Sequence, residues 1–390
     1  MTVRVNKPAF NLREKLSELE RPIGVKGSEL MRADTAQDAR DFISAGRKNK
    51  IINGAMLIDQ RHGGASNTNS NGFHLDRFRT QVSSMDQLVQ SYQQVSDGPP
   101  GFPKSLKITT TTPETDISAS SEYVSLYQKI EGQNLQDLAY GTSSAKPVTV
   151  SFYVKSSITG TFGYTVYRNE STDRAINKTY TINNANTWER KTITLEGDSV
   201  AAIGNANTDN WWNCWHLAAS PGYMSAQTSV WANYAGGNWA GFHEQNGVVT
   251  TNNATWYITG VQIEVGKNAT EFEHRSYGEE LALCQRYYQN SYNQGVGQYP
   301  GDTNNDNGMI QTCWSDGNSP FGMFPTPMRV APTVTLRQRG TNNTGKVENS
   351  GASKTASAQQ ISNQGVGYIA VSSGVAGGWC AFTYELNAEL

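Results

Sequence analysis

The chain has 390 residues and a formal net charge of −2, with a pI near 6.2. That length leaves room for two or three domains, and that charge gives no global pull toward nucleic acid or an anionic membrane. No apolar run approaches the ~20 residues a spanning helix needs, so neither nucleic-acid binding nor membrane insertion is expected.

Residues 1–49 read differently from the rest. Asn11 to Glu20 places Leu12, Leu16 and Leu19 on one helical stripe, and Arg21-Pro22 stops it. A second short helix is predicted from Thr35 to Ala45, with Ala36, Ala39, Phe42 and Ile43 on one side and Gly46 as its stop. Helices this short are marginal alone, so the stripes need a partner. Leu12, Leu16, Leu19 and Phe42 are the candidate docking and oligomerisation residues. The competing reading is an arm folded back on the chain's own body.

From Ile51 the signal is that of strands. Ile51–Met56 is predicted to open a β-sandwich, and a polar loop follows from His62 to Gly72. Strands are then predicted at Leu75–Ser84, Gln87–Val95, Ser105–Thr112, Glu122–Glu131, Val148–Lys155, Thr161–Arg168, Ala175–Ile182 and Thr187–Leu195. A helical turn interrupts them at Asn134–Tyr140. Trp256–Val265 alternates apolar and polar residues and is the expected last strand, lying close to Ile51–Met56. Ser276 with Glu279 forms a capping box for a short helix. Further strands are predicted at Met309–Trp314, Thr333–Arg339, Gly367–Ser372 and Trp379–Leu386, with Lys346–Gln360 as an exposed loop. The fold class is therefore mainly β: an antiparallel jelly-roll sandwich over 50–275, preceded by a helical arm over 1–49 and followed by a linker helix and small β module over 276–390.

Three stretches carry a resemblance. ITGVQIEVG followed by FEHRSYGEELALCQRYY, the opening IINGAM with DQR, and the ending YELNAEL resemble tailed-bacteriophage virion appendage proteins, of the tail-fibre kind, with a carbohydrate-binding-type jelly-roll module. The resemblance covers most of the chain from Ile51 onward. It implies a virion protein assembled in the host cytoplasm, a homotrimer that meets other tail or neck proteins through its N-terminal arm, and a host-surface polysaccharide as ligand. Modules of this kind often hold a structural calcium marked by an acidic pair on the last strand. Gln262 and Glu264 stand there, so that pattern is incomplete and no metal is expected.

The residues themselves offer little catalytic chemistry. No G-x-S-x-G, H-E-x-x-H or P-loop is present. His243-Glu244 and Glu273-His274 are adjacent pairs, and neighbours on an extended chain point to opposite faces. Asp76, Asp116, Glu131 and Glu264 are available carboxylates, but nothing pairs any two of them for glycoside hydrolysis. Asp302 to Gly308 departs from the calcium-loop pattern and reads as a surface turn. Cys214, Cys284, Cys313 and Cys380 lack any C-x-x-C spacing, so reduced thiols and no cofactor are expected.

Aromatic residues are the suggestive set. Trp211, Trp212, Trp215, Trp231, Tyr234 and Trp239 cluster among Gly and Asn and are the candidate glycan-binding residues. On a strand Trp211, Asn213 and Trp215 share one face and Trp212, Cys214 and His216 the other. The competing reading is that the rings pack the sandwich. A non-enzymatic tail fibre or related appendage that adsorbs to host glycan is the expected function. The alternatives are a purely structural head, neck or tail adaptor, or a polysaccharide-binding or -cleaving module.

Overall fold

A computed structural model describes residues 47–117, 121–224, 229–241, 246–292, 309–341 and 343–390. The stripes of Leu12, Leu16, Leu19 and Phe42, the pair His243-Glu244 and the Asp302–Gly308 turn lie outside these residues.

Twelve strands build the sandwich. They are β1 (Phe73–Leu75), β2 (Phe78–Ser83), β3 (Val89–Val95), β4 (Ser105–Thr112), β5 (Tyr123–Ile130), β6 (Val148–Ser156), β7 (Gly160–Arg168), β8 (Arg174–Ile182), β9 (Glu189–Leu195), β10 (Trp211–Ala219), β11 (Ala232–Asn233) and β12 (Thr255–Val265). A five-stranded front sheet runs β3-β4-β12-β6-β9, and a seven-stranded back sheet runs β1-β2-β5-β10-β7-β8-β11. All pairings are antiparallel. Such crossing between sheets is the jelly-roll arrangement. The core lies between the sheets, where Leu106, Ile108, Val150, Phe152, Trp256 and Ile258 of the front meet Leu126, Tyr164, Val166, Trp211 and Trp215 of the back. Burying such side chains stabilises by about 1.5–3 kcal/mol each.

Ile51–Met56 is a bend leading into one turn, closed by Met56 N–H donating to the Asn53 carbonyl (2.9 Å), and not a strand. It still lies along β12, because Lys50 N–H donates to the Ile263 carbonyl (2.9 Å) and Val261 N–H to that of Gly54 (2.9 Å). Asn53 and Met56 take positive φ, which breaks the extended run, and a Cβ on Gly54 would collide with the Val261 carbonyl.

The capping box forms as expected: Glu279 N–H donates to Ser276 Oγ (3.4 Å) and Ser276 N–H to Glu279 Oε2 (3.3 Å). The helix Tyr277–Gln285 leads to a third sheet of β13 (Tyr288–Asn290), β14 (Met309–Thr312), β15 (Ser319–Met323), β16 (Thr333–Gln338), β17 (Lys346–Asn349), β18 (Ala352–Ile361), β19 (Gly365–Val371) and β20 (Trp379–Asn387). The long strand β20 pairs with β13 and β14 on one side and with β16 and β17 on the other. Lys346–Gln360 is thus a hairpin, correcting the expected loop. Its turn is at Ser350-Gly351, and it buries only Val347, Asn349 and Ala356.

Two aromatic faces of the sandwich

The back sheet's outer face carries the even positions of β10. Trp212 stacks on Tyr127 with centroids 5.4 Å apart and a 20° interplanar angle. Lys129 Nζ lies 3.7 Å from the Trp212 centroid and pairs with Asp209 (2.7 Å). Desolvation lowers the Lys129 pKa, and the pairing partly offsets it. Tyr167 meets Trp212, Tyr234 and Trp239 edge-on. Below runs a polar chain: Ser125 Oγ to His216 Nδ1 (2.7 Å), His216 Nε2 to Thr165 Oγ1 (2.9 Å), and Thr165 Oγ1 donating to the Trp239 carbonyl (2.8 Å). Asn177 Nδ2 donates to the Asn238 carbonyl (2.8 Å). These bonds tie the segment between β11 and residue 241 onto the sheet, so the aromatic layer is a second small core.

This corrects several candidate ligand residues. Trp211 and Trp215 are fully buried between the sheets and cannot act as surface platforms. Trp239 is 6% exposed beneath the outer layer, with neighbouring rings on several sides. Trp231 is half-buried at the core's edge, edge-on to Trp211 and Tyr140, with its indole N–H given to the Glu196 carbonyl (2.7 Å). Trp212 and Tyr234 are half-buried, and their rings meet other rings. The nearby amides are engaged too: Asn213 Oδ1 accepts from Tyr164 Oη (3.0 Å) and Trp211 Nε1 (2.8 Å).

A second aromatic surface, this one with a concavity, is on the front sheet. A cleft of about 280 Å³ is lined by Phe102, Tyr153, Phe272, His274, Arg190 and Glu271, with Ser151 and Gly260 among its other walls. Its form follows from the bulge in β12. Pairing with β6 shifts register between Thr259 and Gln262, and Gly260 sits there at φ +63. A Cβ at Gly260 would stand 2.9 Å from both the Phe102 and the Tyr153 ring, so only glycine lets these rings approach. Phe102 lies 5.3 Å from Tyr153 and 5.0 Å from Phe272, centroid to centroid. Farther along the same face Tyr257 meets Trp188 edge-on at 6.0 Å, with Lys155 Nζ 4.3 Å from the Tyr257 centroid. Lys155 is neutralised by Asp97 (2.5 Å), and its hydrogen bond is the main cause that holds the Asp97 carboxyl below its ordinary range.

None of these rings was among the sequence candidates. The outward parity of Tyr153 and Tyr257 was readable within their strands, but Phe102, Phe272 and His274 lie in loops that converge only through the fold. Glu273 and His274 do point opposite ways. His274 lines the cleft, while Glu273 Oε2 accepts from the N–H groups of Lys48 (2.6 Å) and Asn49 (2.7 Å).

The acidic pair position of β12 is filled by protein donors. Glu264 accepts from Thr270 N (2.8 Å), Thr270 Oγ1 (2.6 Å) and Gln262 Nε2 (2.9 Å). Lys48 Nζ donates to Thr270 Oγ1 and to the Glu271 carbonyl (2.7 Å), so an ammonium sits beside this cluster. Among the described residues no group of three or more His, Cys, Asp or Glu is placed to hold a metal ion. Of the other carboxylates, Asp76 accepts from Gln60 (2.6 and 2.7 Å), and Glu131 takes a bidentate Arg286 (2.8 and 2.8 Å).

Solved structures resemble the chain in architecture. No protein family and no curated protein matches the sequence. The enzymatically active domain of bacteriophage CBA120 tailspike protein 4 aligns at 11% identity and TM-score 0.30, over 56% of this chain and only 21% of that one, about a fifth of its length. The family 11 carbohydrate-binding module of a cellulosomal cellulase of Clostridium thermocellum aligns at 11% identity and TM-score 0.27, over 55% of this chain and 99% of that one. The N-terminal CBM22 tandem of Paenibacillus barcinonensis Xyn10C aligns at 11% identity and TM-score 0.27, over 89% and 92% of the two chains. At scores this low the likeness carries no functional argument, and the jelly-roll assignment rests on the strand order.

Proposed function

We propose that this chain is a non-enzymatic, glycan-binding subunit of a tailed-phage virion appendage, with its saccharide in the front-sheet cleft. The observation that carries the binding reading is the open cleft itself: half-buried Tyr153 and Phe272 rings and exposed Arg190, His274 and Glu271 around one concavity. Concave sites with an apolar wall and a few convergent polar groups are the usual form of small-ligand pockets. A sugar ring presents C–H groups to an aromatic face and hydroxyls to charged neighbours, and this cleft offers both. The virion assignment rests on the sequence stretches quoted above. In that setting residues 1–49 attach and trimerise the chain, and weak single sites repeated around a tail gain avidity.

The test is calorimetric titration of the full chain with host-surface polysaccharide. Tyr153→Ala should weaken binding about tenfold or more, equivalent to ~1.4 kcal/mol, while Trp212→Ala leaves affinity within twofold. Absence of any saccharide binding by the wild type overturns the reading, as does loss with Trp212→Ala but not with Tyr153→Ala.

A further inference from the structure

The front face has a charge pattern that the proposed glycan site does not by itself require. Arg190, on β9, gives one guanidinium N–H to the Thr270 carbonyl (2.6 Å), and its remaining donors have no partner among the described residues. Lys107, on β4, makes no hydrogen bond or ion pair among the described residues, and its Nζ lies 5.7 Å from the Tyr257 centroid. The strand order β4-β12-β6-β9 sets these two positions three strand spacings apart, roughly 14 Å across the strands, and their rows lie two residues apart along them, so the backbone separation is roughly 16 Å. The registers place Tyr257 and Lys155 in the row of Lys107, and Thr259 and Tyr153 in the row of Arg190. Two cations without an ion-pair partner among the described residues therefore flank a band of rings; Asp97 pairs with the third cation, Lys155, and its charge is also felt at Lys107. Glu271 at the cleft rim is the one carboxylate there with no side-chain partner among the described residues.

We infer that the saccharide taken by this face is an acidic one, a chain with carboxylate-bearing sugars that crosses the strands of the front sheet. One carboxylate meets the fork of Arg190, which matches two oxygens at once. A second, farther along the chain, meets Lys107 as a point charge. Tyr153 and Tyr257 carry the rings between them. This rests on the glycan-binding reading of the same face.

The experiment titrates the full chain with polygalacturonate, alginate and hyaluronan oligosaccharides, each also as its methyl ester, which keeps the sugar and removes the charge. At least one acid should bind about tenfold tighter than its own ester at low salt, and the advantage should shrink toward 1 M salt as screening shortens to about 3 Å. Lys107→Gln, outside the cleft lining, should remove most of the acid preference and leave ester binding unchanged, whereas Arg190→Gln should weaken acid binding more than it weakens ester binding. Glu271→Gln should strengthen acid binding. Both lysine and arginine positions lie on the outer face, and melting curves of the variants confirm folding. Esters that bind as tightly as acids overturn the inference and leave the glycan reading standing. Acid preference that survives both substitutions and high salt also overturns it. No binding by any acid or ester overturns the inference, while the glycan reading stands or falls by the titration with host-surface polysaccharide.

Discussion

Gly260 holds φ +63 where β12 breaks register, with the Phe102 and Tyr153 rings 2.9 Å from where a Cβ would stand, closer than van der Waals contact. Alanine there would take a left-handed conformation at a cost of about 1–2 kcal/mol and press two rings apart at the cleft floor. Gly260→Ala should lower the melting temperature by several degrees and weaken saccharide binding together. An unchanged melting temperature with unchanged affinity would show that the bulge is not what shapes the cleft. At this scale part of the molecule was legible beforehand. Alternation in Trp211–Trp215 separated two faces, and the structure shows Trp211 and Trp215 inside with Trp212 outside. Which face met the core, and that residues 220–224 and 229–241 would cover the other, no local pattern encodes. The tryptophan-rich stretch drew attention to the back sheet, where its rings close a second small core, a use of large rings as ready as ligand binding.

The segment Phe272–Arg275 works as a wall between two compartments. Phe272 and His274 face the cleft, whereas Glu273 and Arg275 hold the backbone of Lys48, Asn49 and Ile51. Arg275 donates to the Asn49 carbonyl and to that of Ile51 (3.0 Å), and pairs with Glu273 (3.1 Å) and Glu280 (3.3 Å). Burial raises the Glu273 carboxyl pKa, but the N–H groups of Asn49 and Lys48 and the Arg275 charge outweigh it, so the net shift is downward. A depressed acid contributes stability above its unfolded value, near 4.3, and that contribution is lost as pH falls through the folded value. Glu273→Ala should therefore speed tryptic cleavage at Lys48 and Lys50 at pH 7 several-fold, with little change in global melting. Equal cleavage rates in variant and wild type would contradict the clamp. Elements with strong alternation, such as β4, β6 and β12, were legible almost to their ends. The hairpin β17–β18 was not, because most of its side chains face solvent and leave no apolar period to read. β15 was missed because Pro320 lies inside it, a residue that ordinarily argues against a strand.

Across the whole molecule, the third sheet is bolted to the sandwich by charge. Arg286 and Tyr287 hold Glu131, Arg61 and Arg77 hold Glu389, and Arg329 donates to the carbonyls of Asn207 (2.7 Å) and Ala388 (2.9 Å). Arg77 also lies 3.6 Å from the Tyr287 centroid, and Arg61 3.8 Å from that of Tyr288. Buried pairs of this kind fix orientation more than they add stability. The third sheet is thereby held in a set position against the sandwich. The sheets were readable from pattern, whereas this junction joins sandwich and third-sheet residues 122 positions apart (Asn207 with Arg329), 155 positions apart (Glu131 with Arg286) and more, and had no local signal. The central claim is that saccharide binds the front sheet and not the tryptophan-rich back sheet. Hydrogen exchange of the full chain with and without bound host polysaccharide tests it most directly. New protection is predicted at the Pro99–Phe102 turn, around Gly260 and over Glu271–His274, with the backbone of Trp212 and Tyr234 unchanged. Protection confined to β10 and residues 229–241 would contradict the account.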